Sequence, residues 1–374
     1  MPRERVDTSI GLRALNRATL DRQMLLRRST VPVTEAIERL IGLQAQTPHT
    51  FYVGVWGRVA GFRPEHLADR LVDRSVVRMA LMRGTIHLVT ARDAWGLRAL
   101  VQPVLDRVQK GQFGRHLVGI DEAALIATGR AFVDEQPRTF KALGDHLLET
   151  WPDRDRYAME QAIRTAVPLV QVPPRGVWGR SGPIAHTSIR AWLGAPPAAR
   201  LTIEDLVRRY LGAFGPASGM DAQAWCGLTK LREVFERLRP ELVVLRDEAG
   251  RELFDLPTAP RPDPDTPAPP RFLYDFENLL LSYVDRTRTI APELARAFAP
   301  QTQESVSLFT LDGFVAGRWA IARERRSATL VITPFRTPSR HDAAALTEEG
   351  LGLLAFVAPE AEDHDTRIEP ALAG

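Results

Sequence analysis

The sequence predicts an α+β fold, mainly helical, built from winged helix-turn-helix units. Two observations lead to it. A segment of helices closed by a β-hairpin recurs along the first 256 residues, and a strand-rich stretch marked by Asp312-Gly313 precedes the C-terminus. Between them, residues 257–270 hold seven prolines, which no helix interior or central strand accommodates.

The elements follow in chain order. Thr34 heads a helix whose apolar stripe is Ala36, Ile37, Leu40 and Ile41, and a second helix runs from Pro64 through Leu67 and Leu71. Val77, Met79 and Leu81 alternate as a strand, Arg83-Gly84 turns, and Thr85 to Val89 returns. Thr90 and Asp93 cap the next helix around Trp95. A weaker copy starts near Thr139, with Leu143 and Leu147 on one helix and Ala162, Ile163 and Ala166 on another. Residues 169–172 read as its strand, and the Gly-rich run that follows as its wing or loop. The clearest copy opens with the Thr202/Asp205 cap and the stripe Ile203, Leu206, Val207, Tyr210, Leu211. Gly215-Pro216 breaks that helix, a short one spans Asp221 to Leu228, and a third carries Leu231, Val234, Phe235 and Leu238. Pro240 stops it before two strands joined at residues 247–250. Three helices and a hairpin make the winged-helix layout, whose third helix is the one available to a DNA groove; the same layout also serves as scaffold or protein-interaction module. Beyond the connector, residues 306–335 read as at least three strands with a hairpin at Asp312-Gly313, then a helix from about His341 to Val357 and a loose polar tail. The expected organisation is 1–100, 101–200 and 201–256 as three winged-helix units, 257–270 as connector, 271–360 as a C-terminal β region and 361–374 as tail.

Composition narrows the chemistry. The 374 residues are 44% hydrophobic and 25% charged, an ordinary globular balance long enough to bury a core unaided. One cysteine, Cys226, excludes a disulfide framework and a cysteine-rich zinc finger, and the eight histidines never fall at ligand spacing, so no metal is expected. No apolar run is long enough to span a membrane and the start lacks an apolar signal core, which points to the cytoplasm. Only Lys110, Lys141 and Lys230 are lysine among 49 basic residues, and the net charge is +3. That arginine excess has two readings: the coding bias of a GC-rich genome, or a surface of guanidinium forks matched to phosphates. Glycine-rich phosphate loops, a Gly-x-Ser-x-Gly elbow and a His-Glu-x-x-His helix are all absent, so no cofactor is expected.

One segment stands apart. In Gly42-Leu43-Gln44-Ala45-Gln46-Thr47-Pro48-His49, Pro48 turns Thr47 away from helical angles, so the helix should end here. In extended chain, residues two apart share a side, and Gln44 and Gln46 would present two carboxamides to one space. Capping or solvation explains such a pair as readily as catalysis.

The runs LNRATLDRQMLLRR, IERLIGLQAQTPHTFYVGVWGRVAGF and VVRMALMRGTIHLVTARDAW, with GPASGMDAQAWCGL and FENLLLSYVDRTR later, resemble the AlkZ/YcaQ-like winged-helix family of bacterial DNA glycosylases. The resemblance extends from about residue 12 to 357. It implies three tandem winged helices in a C-shaped scaffold with a small C-terminal β-barrel. It also implies that Gln44-Ala45-Gln46 is the catalytic motif, in the Gln-x-Gln branch associated with self-resistance of antibiotic producers to DNA-alkylating agents; the Asp of the Gln-x-Asp branch is absent. The implied chemistry is sound. Alkylation at guanine N7 or adenine N3 makes the base a cationic leaving group, and two amides that do not titrate near pH 7 can orient water and support an oxocarbenium-like state. A Schiff base needs an amine and no lysine is near the motif in sequence, so a monofunctional enzyme is expected; the full reading is a monomeric, cofactor-free glycosylase acting on duplex DNA that carries alkyl adducts, interstrand cross-links among them. Expected DNA contacts are Arg58; Arg83, Thr85 and His87 on the first wing; the Asp312-Gly313 hairpin tip, with Phe309, Leu311 and Phe314 as an apolar wedge; and Arg318, Arg323, Arg325 and Arg326 on flanking phosphates. The rivals are a non-catalytic transcription regulator and a protein that sequesters the toxic compound.

Overall fold

A computed structural model describes residues 8–295 and 306–372. Three sheets organise it: six strands, five strands and three strands.

The six-stranded sheet carries the motif. Its order is Leu43–Gln44, Ile86–Thr90, Val76–Ala80, Leu169–Gln171, Ala185–Ser188, Arg138–Thr139, antiparallel throughout. Val77 and Met79 face one core with Leu81 and Val89, whereas Val76, Ala80, Ile86 and Leu88 face another. Strict alternation therefore separates two cores across one sheet. The expected first and second units are not separate, because Met79 pairs with Val170 and zips their hairpins into this sheet. The expected boundary at residue 100 also falls inside the Ala91–Phe113 helix, whose Ala94, Leu97, Val101 and Val104 line the second core. Helices Glu122–Glu135, Phe140–Thr150 and Arg156–Ala166 enclose a third core.

Residues 202–255 show the expected order: helices Ile203–Phe214, Gly219–Cys226 and Leu231–Leu238, then strands Val243–Asp247 and Glu252–Asp255. The Thr202/Asp205 capping box forms, and Ser218/Asp221 makes a second one. Thr8–Ile10 adds a parallel strand beside Val243–Asp247 and leads into the Leu12–Arg22 helix, an N-terminal contribution to this unit that sequence reading missed.

The C-terminal sheet runs Arg271–Phe272, Leu308–Leu311, Phe314–Arg323, Ser327–Pro334, Asp363–Ile368. It is an open half-barrel rather than the small β-barrel expected: its first and last strands are edges. The expected loose tail is partly wrong as well, since Asp363–Ile368 pairs parallel to Ser327–Pro334 with His364, Thr366 and Ile368 half-buried on one side. The Arg340–Val357 helix packs on this sheet, and Leu330, Ile332, Leu346, Leu353, Phe272 and Phe309 join Phe51 and Tyr52 in a single core.

The Pro-rich connector has no regular structure and is laced down by the first helix. Arg13, Arg17 and Arg22 donate to the carbonyls of Pro264, Thr266 and Pro260 at 2.8, 2.7 and 3.0 Å.

Candidate active site

The motif strand owes its position to the turn before it. The Val33–Arg39 helix ends earlier than Pro48 alone implies, because Ile41 and Gly42 both take left-handed angles, φ +56° and +93°. A Cβ on Gly42 would lie 2.6 Å from Val89 Cγ1 and 2.8 Å from the Leu88 carbonyl oxygen, so only glycine lets the chain close onto the sheet here. Asn278 Nδ2 donates to the Gly42 carbonyl at 2.7 Å and pins the turn from the C-terminal side.

Beyond it Gln44 pairs with His87, and the Ala45 N–H donates to the Ile86 carbonyl at 2.7 Å. Ala45 fills the core; alternation sets Gln44 and Gln46 on the other side of the strand. Gln46 is exposed and Gln44 only 4% so. Each amide oxygen accepts a hydrogen bond: Gln44 Oε1 from Arg83 Nη2 at 2.6 Å, and Gln46 Oε1 from the Ile86 N–H at 3.2 Å.

Two arginines hold the motif, Arg78 buried and Arg83 half-buried, and neither has a carboxylate within ion-pair distance among the described residues. Arg83 grips the Gln44 side chain and also donates to the Trp225 carbonyl; Arg78 Nη2 donates to the Ala45 carbonyl at 2.7 Å. Burial lowers each to about 10, so both stay cationic at neutral pH. Arg107 donates to the Gly227 carbonyl at 3.2 Å, beside the Arg83 turn. Sequence reading missed Arg78, and also Tyr274 and Asp275, whose buried hydroxyl and Oδ1 lack partners. A positive charge at a strand centre, Arg78, was the one signal available for it.

The other expected contacts are placed as follows. Arg58 is not a surface phosphate contact: it is buried in an ion pair with Glu277 at 2.5 Å, a partner remote in sequence. Arg83 points inward to Gln44, and the Thr85 hydroxyl donates to the Met82 carbonyl within its own turn. His87 is 1% exposed, bonded to the Thr85 carbonyl at 3.0 Å, and held to about 3 by burial and the nearby Arg83 charge. It is a neutral packed histidine. The Asp312-Gly313 hairpin forms, yet its tip is no free wedge. Arg13 and Arg17 bind the Asp312 carboxylate, Asn16 donates to the Gly313 carbonyl at 2.8 Å, Phe309 lies in the core and Phe314 is half-buried. Apolar side chains flanking the turn face inward because that face of the strand is the core. Arg323 and Arg326 pair with Glu360 and Glu362, whereas Arg318 and Arg325 are exposed and carry no ion pair among the described residues. No group of His, Cys, Asp or Glu able to hold a metal occurs among the described residues, and no described helix is long and apolar enough to cross a membrane.

Known proteins resemble this chain over most of its length. The family model "DNA glycosylase AlkZ-like" matches residues 37–356. A Streptomyces sahachiroi protein named "Interstrand DNA cross-link repair glycosylase" is 27% identical over 356 residues, covering 88% of this chain and 92% of its own. The solved structure of Streptomyces sahachiroi DNA glycosylase AlkZ superposes with a TM-score of 0.80 at 22% identity, covering 97% of this chain and all of that one, a likeness of fold.

Proposed function

Since this chain belongs to the AlkZ-like DNA glycosylase family, we propose that it hydrolyses the N-glycosidic bond of a bulky, cationic N7-alkylguanine or N3-alkyladenine, including one held in an interstrand cross-link. The observation that carries this reading is Gln44-Ala45-Gln46 fixed on a sheet edge, with the histidine paired to it kept neutral.

The alkyl group has already made the base electron-poor. The C1′–N9 bond breaks with its electron pair going to the base, which leaves neutral, and positive charge gathers on the sugar. Water then adds to C1′ and sheds a proton to solvent. The difficult parts are placing that water and tolerating the cation, and two carboxamides do both without titrating. A strong general base is unnecessary, which fits a motif with no carboxylate of its own. Hydrolysis leaves an abasic site on an unbroken strand. A base within a cross-link cannot swing out freely, so an open groove suits this substrate better than a sealed base pocket. By the same reading the protein guards DNA against alkylating natural products.

The test is a duplex with a single nitrogen-mustard N7-guanine adduct, assayed for abasic sites. Wild-type protein should release the base, and Gln44→Ala or Gln46→Ala should slow release about 100-fold or more. Tight binding to a particular unmodified sequence with no release would favour a regulator, and protection from the free agent without DNA would favour sequestration.

A further inference from the structure

Both motif amides are oriented by groups that can only donate. A guanidinium has no acceptor atom, so the bond from Arg83 Nη2 at 2.6 Å leaves the Gln44 amide one orientation, Oε1 toward Arg83. The Gln44 Nε2 then has no protein partner among the described residues and is not sealed from solvent. Arg83 is itself fixed from behind. Its other terminal nitrogen donates to the Trp225 carbonyl, and its backbone is left-handed at φ +56°, followed by Gly84 at +75°. A non-glycine residue in that region and a half-buried guanidinium without a carboxylate both cost stability. A simple phosphate contact needs neither and would keep its guanidinium at the surface. Here the guanidinium is spent on the motif.

We infer that Arg83 is a positioning residue that locks Gln44 as a hydrogen-bond donor to solvent through Nε2, leaving Gln46 Oε1 as the acceptor for the attacking water. The inference rests on the water-holding role proposed above for the two glutamines. Gln44 Nε2 donates to one lone pair of the water. The second lone pair of Gln46 Oε1, not used by the Ile86 N–H, accepts one of the water's protons. The remaining lone pair of the water is free to attack C1′. The two glutamines are therefore not interchangeable.

The test uses the full-length protein and the nitrogen-mustard N7-guanine duplex, with single-turnover rates and duplex affinity measured separately. Arg83→Met should lower the rate about tenfold to a hundredfold while duplex affinity stays within about twofold, and Arg83→Lys should recover part of the rate. Gln44→Glu keeps an acceptor for Arg83 but has no N–H, and should be as slow as Gln44→Ala. Gln46→Glu keeps its acceptor and should stay within about tenfold of wild type. The inference is overturned if Arg83→Met weakens duplex binding and leaves the rate unchanged, the signature of a phosphate contact. It is also overturned if Gln44→Glu is as active as wild type. Should Arg83→Met fail to fold by urea titration, Gln44→Glu decides alone. A wild-type protein that releases no base overturns the reading beneath, and this inference with it.

Discussion

Replacing Glu277 with glutamine should destabilise this protein far more than loss of any surface charge. Arg58 and Glu277 are 1% and 0% exposed at their side chains, and they meet through two bonds, Nη2–Oε1 at 2.5 Å and Nη1–Oε2 at 3.2 Å. The carboxylate also accepts from the Leu279 N–H at 3.2 Å, and the guanidinium donates to the Gly54 carbonyl at 2.9 Å. Taking away one partner strands the other charge where water does not reach. Breaking a buried pair from one side costs about 3–5 kcal/mol, against about 0–1 kcal/mol for an exposed pair. Glu277→Gln, Glu277→Leu and Arg58→Met should each fall in the higher range. The combined Arg58→Met/Glu277→Leu variant should lose much less than the sum, because an apolar pair of similar volume removes both desolvation penalties. Urea unfolding of the wild type, Arg58→Met, Glu277→Leu and the double variant completes the cycle. Duplex affinity below the transition should be unchanged in all four. Single variants within about 1 kcal/mol of wild type would refute the argument. So would an Arg58→Met protein of full stability whose DNA binding had lost one ion's worth of salt dependence, since Arg58 would then be touching a phosphate.

Two further outcomes follow from the motif's surroundings. His87 is held to about 3 by burial and by Arg83, and His186 to about 4 by burial and by Arg164 and Arg78, both well below the value of about 6.5 they take in the unfolded chain. Histidines depressed by folding contribute stability that is complete above about pH 6.5 and lost as pH falls from there toward their folded values. The urea midpoint should thus decline from about pH 6.5 to 4, less steeply in His87→Gln, while base release shows no histidine inflection near pH 6.5; an identical pH profile for variant and wild type would contradict this. Gly42→Ala forces a Cβ against Val89 and the Leu88 carbonyl at φ +93°, and should cost about 2 kcal/mol or more together with slowed base release; a variant normal in both melting and turnover would mean that the Gly42 turn does not set the motif.

What was legible in the sequence was local. The hairpin of residues 76–90 could be read because Val77, Met79 and Leu81 alternate, and the Ile203–Phe214 helix because a Thr-x-x-Asp box precedes a clean stripe. Asp312-Gly313 marked its turn correctly, since two positive φ angles there demand those residue types. Long-range pairing was hidden. Arg58 looks like any exposed arginine until Glu277 is brought to it, and Asp312 like any loop acid until Arg13 and Arg17 arrive from the first helix. The merger of two hairpins into one sheet depends on edge pairing that leaves no residue signature. Asp363–Ile368 was missed because its inner face is only half-buried and its composition is polar. The same limit applied at the motif: Gln44 and Gln46 were visible as an oddity, but nothing along the chain linked Gln44 to Arg83 or Ala45 to Arg78.

The stretch between the third helical unit and the C-terminal half-barrel ought, by composition, to be a free spacer. Instead its carbonyls at Pro260, Pro264 and Thr266 are taken in turn by three arginines a helical turn or so apart. Proline has no N–H to offer, so a carbonyl rail read by guanidiniums is one of the few ways to fasten such a stretch. A seam stitched like this does not flex as a hinge. If the protein acts on alkylated duplexes as proposed, a connector tied down in this way leaves more of the adjustment to the nucleic acid, and duplexes already weakened or kinked by damage should be the easiest to seat.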